Sequence, residues 1–297
     1  MGKPTILVFG SINVDLMMRV SSLPRPGETV LSEEIRQLPG GKGANQAMAA
    51  QRAGVRTRFA GSVGQDSHAD TALSLLKEQE IDLSLVTVSE RATGCAVILI
   101  DKHGENVISV ASGANLDIRA DQIGDDTLEN SDVLLLQQEV CIEENVCLAS
   151  RARQRGVKVI YNFAPATTVS TALFAQIDYL IVNEIEASVA VGQDQYADPV
   201  DIAELIAREY GVAVVITLGA QGALVATKKS LFCLPAPPVE AIDTTGAGDT
   251  FCGYFAAEVA KGRNAIEASL EIAIRAASIA CTRSGAQPGI PHSHEVF

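Results

Sequence analysis

Several features that would assign a 297-residue chain to a broad class are missing from this one. Basic residues are scarce: 23 Lys and Arg face 36 Asp and Glu, a net charge of −13, and no Lys/Arg-rich run occurs. That balance argues against nucleic acid or an anionic membrane as the main partner, and any phosphorylated ligand must be held by local groups. No stretch of about 18 apolar residues exists, and the first residues lack a charged region followed by an apolar segment and a cleavage site, so a cytoplasmic location without a membrane span is expected. No C-x-x-C pair occurs among the six cysteines, Cys95, Cys141, Cys147, Cys233, Cys252 and Cys281. Reduced cysteines in apolar surroundings are expected rather than zinc ligands or disulfides. Two nucleotide fingerprints are absent too, Gly-x-x-x-x-Gly-Lys-Ser/Thr and Gly-x-Gly-x-x-Gly. Both a Walker-type phosphate loop and a nicotinamide-dependent oxidoreductase lose support.

What is present centres on Ala241-Ile242-Asp243-Thr244-Thr245-Gly246-Ala247-Gly248-Asp249-Thr250-Phe251, a turn of small residues running into a helical segment that reaches about Lys261. Gly246 and Gly248 allow a tight turn whose backbone N–H groups meet an anion at a helix start. Asp249 on the same turn would repel that anion unless it has another task, such as taking a proton from a substrate hydroxyl. The alternative is a glycine-rich helix start with Asp249 as a favourable N-terminal charge. A second glycine cluster, Gly40-Gly41-Lys42-Gly43-Ala44-Asn45-Gln46, precedes an alanine-rich helix from Ala47 to Ala53.

The length suits one large α/β domain with an excursion. Thr5 to Gly10 reads as a buried strand, and Asn13 and Asp15 beyond it alternate with Ile12 and Val14. They are placed either to bind vicinal hydroxyls or to form an Asx turn. Met17 to Leu38 breaks the strand-helix rhythm, and Thr93 to Ile100 with Glu105 to Val110 form a hairpin around Asp101-Lys102-His103-Gly104. A small antiparallel sheet over one end of the main sheet is therefore expected, a lid from about 14–39 and 93–111. Strands at Arg58 to Val63, Val133 to Leu136, Val157 to Tyr161, Tyr179 to Val182 and Val212 to Leu218 alternate with helices, which implies a mostly parallel sheet covered on both faces. Glu139, Asn162, Asn183, Glu186 and Thr217 follow strand ends, the edge where open α/β sheets bind ligands. His292 and His294 read as part of a solvated tail.

Gly40 to Ala47 and Asp243 to Phe251 together resemble the paired signatures of the ribokinase (PfkB) family of carbohydrate kinases. Gly10-Ser11-Ile12-Asn13-Val14-Asp15, Pro26-Gly27-Glu28-Thr29, Gly113-Ala114-Asn115, Asn162-Phe163-Ala164-Pro165-Ala166, Asn183-Glu184-Ile185-Glu186, Thr217-Leu218-Gly219 and Arg283-Ser284-Gly285-Ala286-Gln287-Pro288 extend the resemblance along nearly the whole chain, 1–297. It implies a ribokinase-like α/β fold and ATP-dependent phosphorylation of the 5-hydroxyl of a furanose. It also implies sugar contacts from Asn13, Asp15, Gly41, Lys42, Asn45 and Glu139, with Asp249 as base and Gly246, Ala247 and Gly248 as anion hole. Asn183 and Glu186 would help place Mg²⁺ and phosphates, and Thr217 and Gly219 would line the nucleotide groove. Asp243 and Thr245, with carbonyls near Ala280, Arg283 and Gly285, would hold a monovalent cation, usually K⁺. Such kinases commonly form homodimers through the β lid. Ile274 stands where they often have Asn or His near the adenine, and Gly289 where a serine often helps surround the cation. Ribose, 2-deoxyribose, another sugar or a nucleoside remain as acceptors, and a non-catalytic sensor on the same fold is the competing class.

Overall fold

A computed structural model describes residues 3–167, 169–192, 198–262 and 265–297. Side-chain alternation in β1 (Thr5–Phe9) already sets the layering: Ile6 and Val8 enter one apolar cluster, Leu7 and Phe9 the other. A strand buried on both faces needs cover on both, and helices provide it. In chain order there follow β2 (Asn13–Arg19), β3 (Ile35–Gly40), α1 (Lys42–Arg52), β4 (Arg56–Gly64), α2 (Ser67–Glu78), β5 (Asp82–Ser89), β6 (Gly94–Ile100), β7 (Asn106–Ala111) and α3 (Asp125–Glu129). Next come β8 (Val133–Leu136), α4 (Ile142–Gln154), β9 (Lys158–Asn162), α5 (Thr171–Phe174), β10 (Tyr179–Asn183), α6 (Glu184–Ala190), α7 (Pro199–Tyr210) and β11 (Ala213–Thr217). The chain finishes with β12 (Ala223–Ala226), β13 (Leu231–Leu234), α8 (Ala247–Ala260), α9 (Ile266–Cys281), α10 (Ala286–Gly289) and α11 (Ser293–Val296).

The main sheet has nine strands in the order β13-β12-β11-β10-β9-β8-β1-β4-β5. Pairing is parallel from β5 to β11 and antiparallel for β12 and β13. From β1 the chain builds toward β4 and β5 and later returns on the other side with β8, so β1 and β8 flank a topological switch point where ligands collect. A second sheet, β3-β2-β6-β7, has antiparallel outer pairs and a parallel central pair, β2 with β6. These features match the α/β architecture with a small second sheet. No helix among the described residues is long and apolar enough to cross a membrane.

Local chemistry explains most element ends. Asp66 caps α2 by accepting from the Ala69 amide, and Asp198 with Pro199 opens α7, which Gly211 closes in the left-handed region. Four expectations change. The helix expected from Ala47 begins at Lys42, because Gly41 at φ 92° turns the strand directly into it. The edge strands β5 and β13 were not anticipated, being short or only half-buried. Of the six cysteines, all free, Cys252 alone is buried while Cys147 and Cys233 are exposed. The histidine segment is docked rather than solvated: His292 and His294 are exposed, but Val296 is buried and Arg275 donates to its carbonyl.

Candidate active site

Helix α8 is apolar nearly all round and lies in the core, so its polar members need partners there. Asp249, 7% exposed in its first turn, has two. Asn45 Nδ2 donates to Oδ2 at 2.9 Å and Gln46 Nε2 to Oδ1 at 3.0 Å. Both amides come from α1, which crosses α8 closely because Gly253 lacks a side chain; a Cβ there would lie 2.5 Å from Ala49 Cβ and 2.6 Å from the Gln46 carbonyl. The α8 start carries the glycine turn, with Gly246 at φ 75°. Amides of a first helical turn have no acceptor in their own helix, so those of Gly248 and Asp249 are available to an anion. Ala247 differs, since its N–H donates to Thr244 O at 3.2 Å.

A cavity of about 230 Å³ opens in front of this turn, lined by Lys42, Asn162, Asn183, Glu186, Thr217, Thr244, Gly246, Gly248 and Asp249 among others. The sugar-side candidates adjoin it at the β1/β8 switch point. Glu139 accepts from Ser11 Oγ at 2.6 Å and from the Lys42 amide at 3.1 Å. Asn115 clamps the strand carrying Asn13: it accepts from the Ile12 amide at 2.8 Å and donates to Asn13 Oδ1 at 2.8 Å. That leaves the Asn13 NH₂ as the free end of its amide. Burial and then the nearby charges of Glu139 and Asp249 push the Asp15 carboxyl up to about 7. Burial acts to lower the Lys42 ammonium, but Asp249, Glu139 and Glu186 outweigh it and hold Lys42 above its usual range. One cation thus balances a cluster of carboxylates.

On the other side, Asn183 and Glu186 form a reciprocal cap at the start of α6. Asn183 Oδ1 accepts from the Glu186 amide and Glu186 Oε2 from the Asn183 amide, both at 2.8 Å. Burial raises the Glu186 carboxyl above its usual range despite that bond. Thr217 Oγ1 donates to Val182 O at 3.3 Å, while Gly219 is exposed at the turn beyond β11 and does not line the cavity. Behind the glycine turn, Asp243 accepts from the Thr245 amide at 2.9 Å and the Gly285 amide at 2.8 Å. Burial raises the Asp243 carboxyl, but these bonds dominate and hold it below its usual range. A Cβ on Gly289 would sit 3.5 Å from Ala280 O and 3.7 Å from Arg283 O, so those two carbonyls converge on one spot.

The structure therefore gathers Asp249, Gly246, Gly248, Lys42, Asn183, Glu186 and Thr217 around one cavity, with Asn13, Asp15, Gly41, Asn45 and Glu139 beside it and the Asp243 loop behind. Residues that sequence reasoning passed over are Ser11, Gln46 and Asn115, all inside quoted motif segments, and Gly253, which carries no local signal.

The model of the pfkB family of carbohydrate kinases matches residues 3–293. The chain belongs to that family. Among its relatives, a ribokinase from Haemophilus influenzae is 36% identical over 300 residues, covering 99% of this chain and 98% of that protein. A Thermotoga maritima ribokinase structure superposes with a TM-score of 0.90 at 34% identity, covering 99% of this chain and 98% of that one. The Arabidopsis thaliana ribokinase, solved with ribose and ATP, gives a TM-score of 0.89 at 30% identity, covering 100% of this chain and 98% of that one. The glycine turn, the Asn183/Glu186 cap and the Asp243 loop of this pfkB-family kinase thus lie in a fold shared end to end with those proteins.

Proposed function

We propose that the protein is an ATP-dependent ribokinase, transferring the γ-phosphoryl group to the 5-hydroxyl of D-ribose. The observation that carries this reading is Asp249, a buried carboxylate held by two amides at the N-terminal turn of a helix and beside a sugar-side cluster. The Arabidopsis relative's bound ribose and ATP support the same pair of substrates here. In this mechanism Asp249 removes the proton from O5 as that oxygen bonds to the γ-phosphorus. The bond to the β-phosphate oxygen breaks, ADP leaves, and the first-turn amides of α8 with Lys42 receive the migrating negative charge. Asn13, Asp15, Gly41, Lys42, Asn45 and Glu139 fix the sugar, while Thr217 borders the nucleotide in the cavity and Gly219 can meet it only at the exposed turn beyond.

Two metal ions fit the donor sets. Glu186 keeps an oxygen outside its cap, so with Asn183 it can hold Mg²⁺ and phosphates through water, as hard oxygen ligands do. Mg²⁺ when bound neutralises phosphate charge. Asp243, Thr245 and the carbonyls of Ala280, Arg283 and Gly285 offer oxygens alone, suited to K⁺, which would stiffen the glycine turn.

The whole chain, 1–297, works in this reading as one kinase domain. The second sheet, from about 14–39 and 93–111, is its lid, closing to keep out water that would compete as phosphoryl acceptor. Its strand β7 exposes Val107, Ile108 and Val110, and β3 exposes Ile35, an apolar surface suited to a second copy of the chain in a homodimer. A cytoplasmic location belongs to this reading, because ATP is supplied inside cells. The deciding experiment compares kcat/KM for ribose, 2-deoxyribose, fructose and adenosine by ADP release. Ribose is expected to lead, and a clear preference for another acceptor overturns the ribose assignment.

A further inference from the structure

Asp249 is held by amides, and one of those amides is itself held. Gln46 is fully buried; its Nε2 donates to Asp249 Oδ1 and to Asn162 Oδ1, each at 3.0 Å, while its Oε1 accepts from Gln137 Nε2 at 2.8 Å. Asn162 in turn donates from Nδ2 to the Ile181 carbonyl at 3.1 Å. A carbonyl only accepts, so it draws the Asn162 nitrogen toward itself and leaves Asn162 Oδ1 facing Gln46. Gln46 must then present its NH₂ to that oxygen and its own oxygen to Gln137. The Asp249 carboxylate makes the same demand independently. The two halves of a glutamine amide have nearly the same shape, so packing cannot choose between its two orientations; hydrogen-bond partners do. Gln137, fully buried just after β8, supplies the N–H that faces Gln46 Oε1, yet neither glutamine lines the cavity.

We propose that Gln137 and Gln46 are positioning residues for phosphoryl transfer: a buried, one-directional chain of amides that presents an N–H, never an oxygen, to Asp249 and so fixes the plane of its carboxylate. The proposal rests on Asp249 being the base. With Asn45 on one oxygen and Gln46 on the other, the carboxylate cannot spin. Were Gln46 reversed, its carbonyl would oppose both Asp249 Oδ1 and Asn162 Oδ1, and the acid would swing away from the hydroxyl it must deprotonate. A small displacement of that kind costs rate rather than binding.

Gln137→Glu tests this, because it keeps the shape and makes the direction of the chain depend on pH. As a neutral acid, Glu at 137 donates its O–H to Gln46 Oε1 as the amide did. As a carboxylate it only accepts, and Gln46 turns its NH₂ away from Asp249. The ratio of variant to wild-type kcat is expected to fall by about tenfold as pH rises from about 6 to about 9, with the sugar KM changed by less than about twofold. The other titratable groups near this chain are Asp249 and Cys252 on α8, Lys42 on α1, Glu139 two positions beyond Gln137, Asp15 on β2, and Tyr161 and Glu186 near Asn162. They are present in both proteins and cancel in the ratio. A ratio independent of pH overturns the proposal. If the buried acid prevents folding, Gln137→Met fills the space with no donor: a kcat reduced about fivefold at constant sugar KM supports the chain, and a wild-type kcat overturns it. Asp249→Asn separates the two readings. Retained activity there sinks the base itself, whereas an inactive Asp249→Asn beside a flat Gln137→Glu ratio sinks only the amide chain.

Discussion

The crossing of α1 with α8 and the sheet β3-β2-β6-β7 carry neighbouring parts of the candidate site, Asp249 and Asp15, with opposite designs. At the crossing, Asn45, Gln46 and Asp249 are buried and joined by direct hydrogen bonds, and Gly253 removes the last side chain between the two backbones. On the sheet, β7 is exposed along its whole length and carries Val107, Ile108 and Val110 with no cover. The difference separates two tasks. A base must be fixed to within a fraction of an ångström, which takes satisfied polar partners in a dense setting. A sheet proposed as a lid must be able to move, and a face proposed to meet a second copy must stay apolar and unfilled.

The sharpest way to break this contrast is Asp249→Asn, which keeps the shape at the crossing and removes the proposed base. Steady-state ADP release should fall by roughly 10²–10⁴; turnover near wild type would erase the distinction. Next comes Asn115→Ala on the sugar side, which strands the Ile12 amide and frees Asn13 to rotate. A stability loss of about 1–3 kcal/mol is expected in urea melts, and the sugar KM should rise by about tenfold with kcat within about twofold. Gly253→Ala attacks the crossing by packing alone. Its Cβ would meet Ala49 and Gln46 at under 3 Å, so a loss of about 1–3 kcal/mol should accompany a lower kcat.

Acid–base behaviour sharpens the comparison further. Asp15 sits at about 7 in the folded protein against an ordinary 3.8, so the folded chain holds this proton more tightly than the unfolded one. Its contribution to stability is fully present below the unfolded value and is lost as pH rises toward about 7. Thermal melts of the sugar-free protein should show Tm declining across that window, and Asp15→Asn should flatten the decline. The smallest effect on the single chain belongs to the sheet surface. Ile108→Lys should leave unfolding free energy within about 0.5 kcal/mol of wild type, and light scattering should report the proposed homodimer for the parent and a monomer for the variant.

Much of the scaffold could be read from residue order because its causes are local. Strand-helix alternation, the Asp101 to Gly104 hairpin and the Asp66 cap each depend on a few neighbouring residues, and each is where it was expected. Glu139, Asn162, Asn183, Glu186 and Thr217 could be picked out as polar groups after strands, and Asp249 and Lys42 from their glycine clusters. What stayed hidden was set by distant contacts. Gln46 looked like a helix-start residue until Gln137, Asn162 and Asp249 converged on it. Asn115 acts on a strand 103 positions away. The solvent faces of Cys147 and Cys233 could not be inferred either, since their neighbours are apolar while the sides on which they project are not covered.

The bond from Asn45 to Asp249 joins positions 204 apart in the chain. A ribosome therefore completes α1 with its Asn45 long before it releases Asp249, and no nascent fragment ending ahead of α8 carries the proposed base. Until that helix emerges, α1 can lie on β1 and β4 but the face that meets α8 is uncovered, and the growing polypeptide presents those alanines to solvent or to a chaperone.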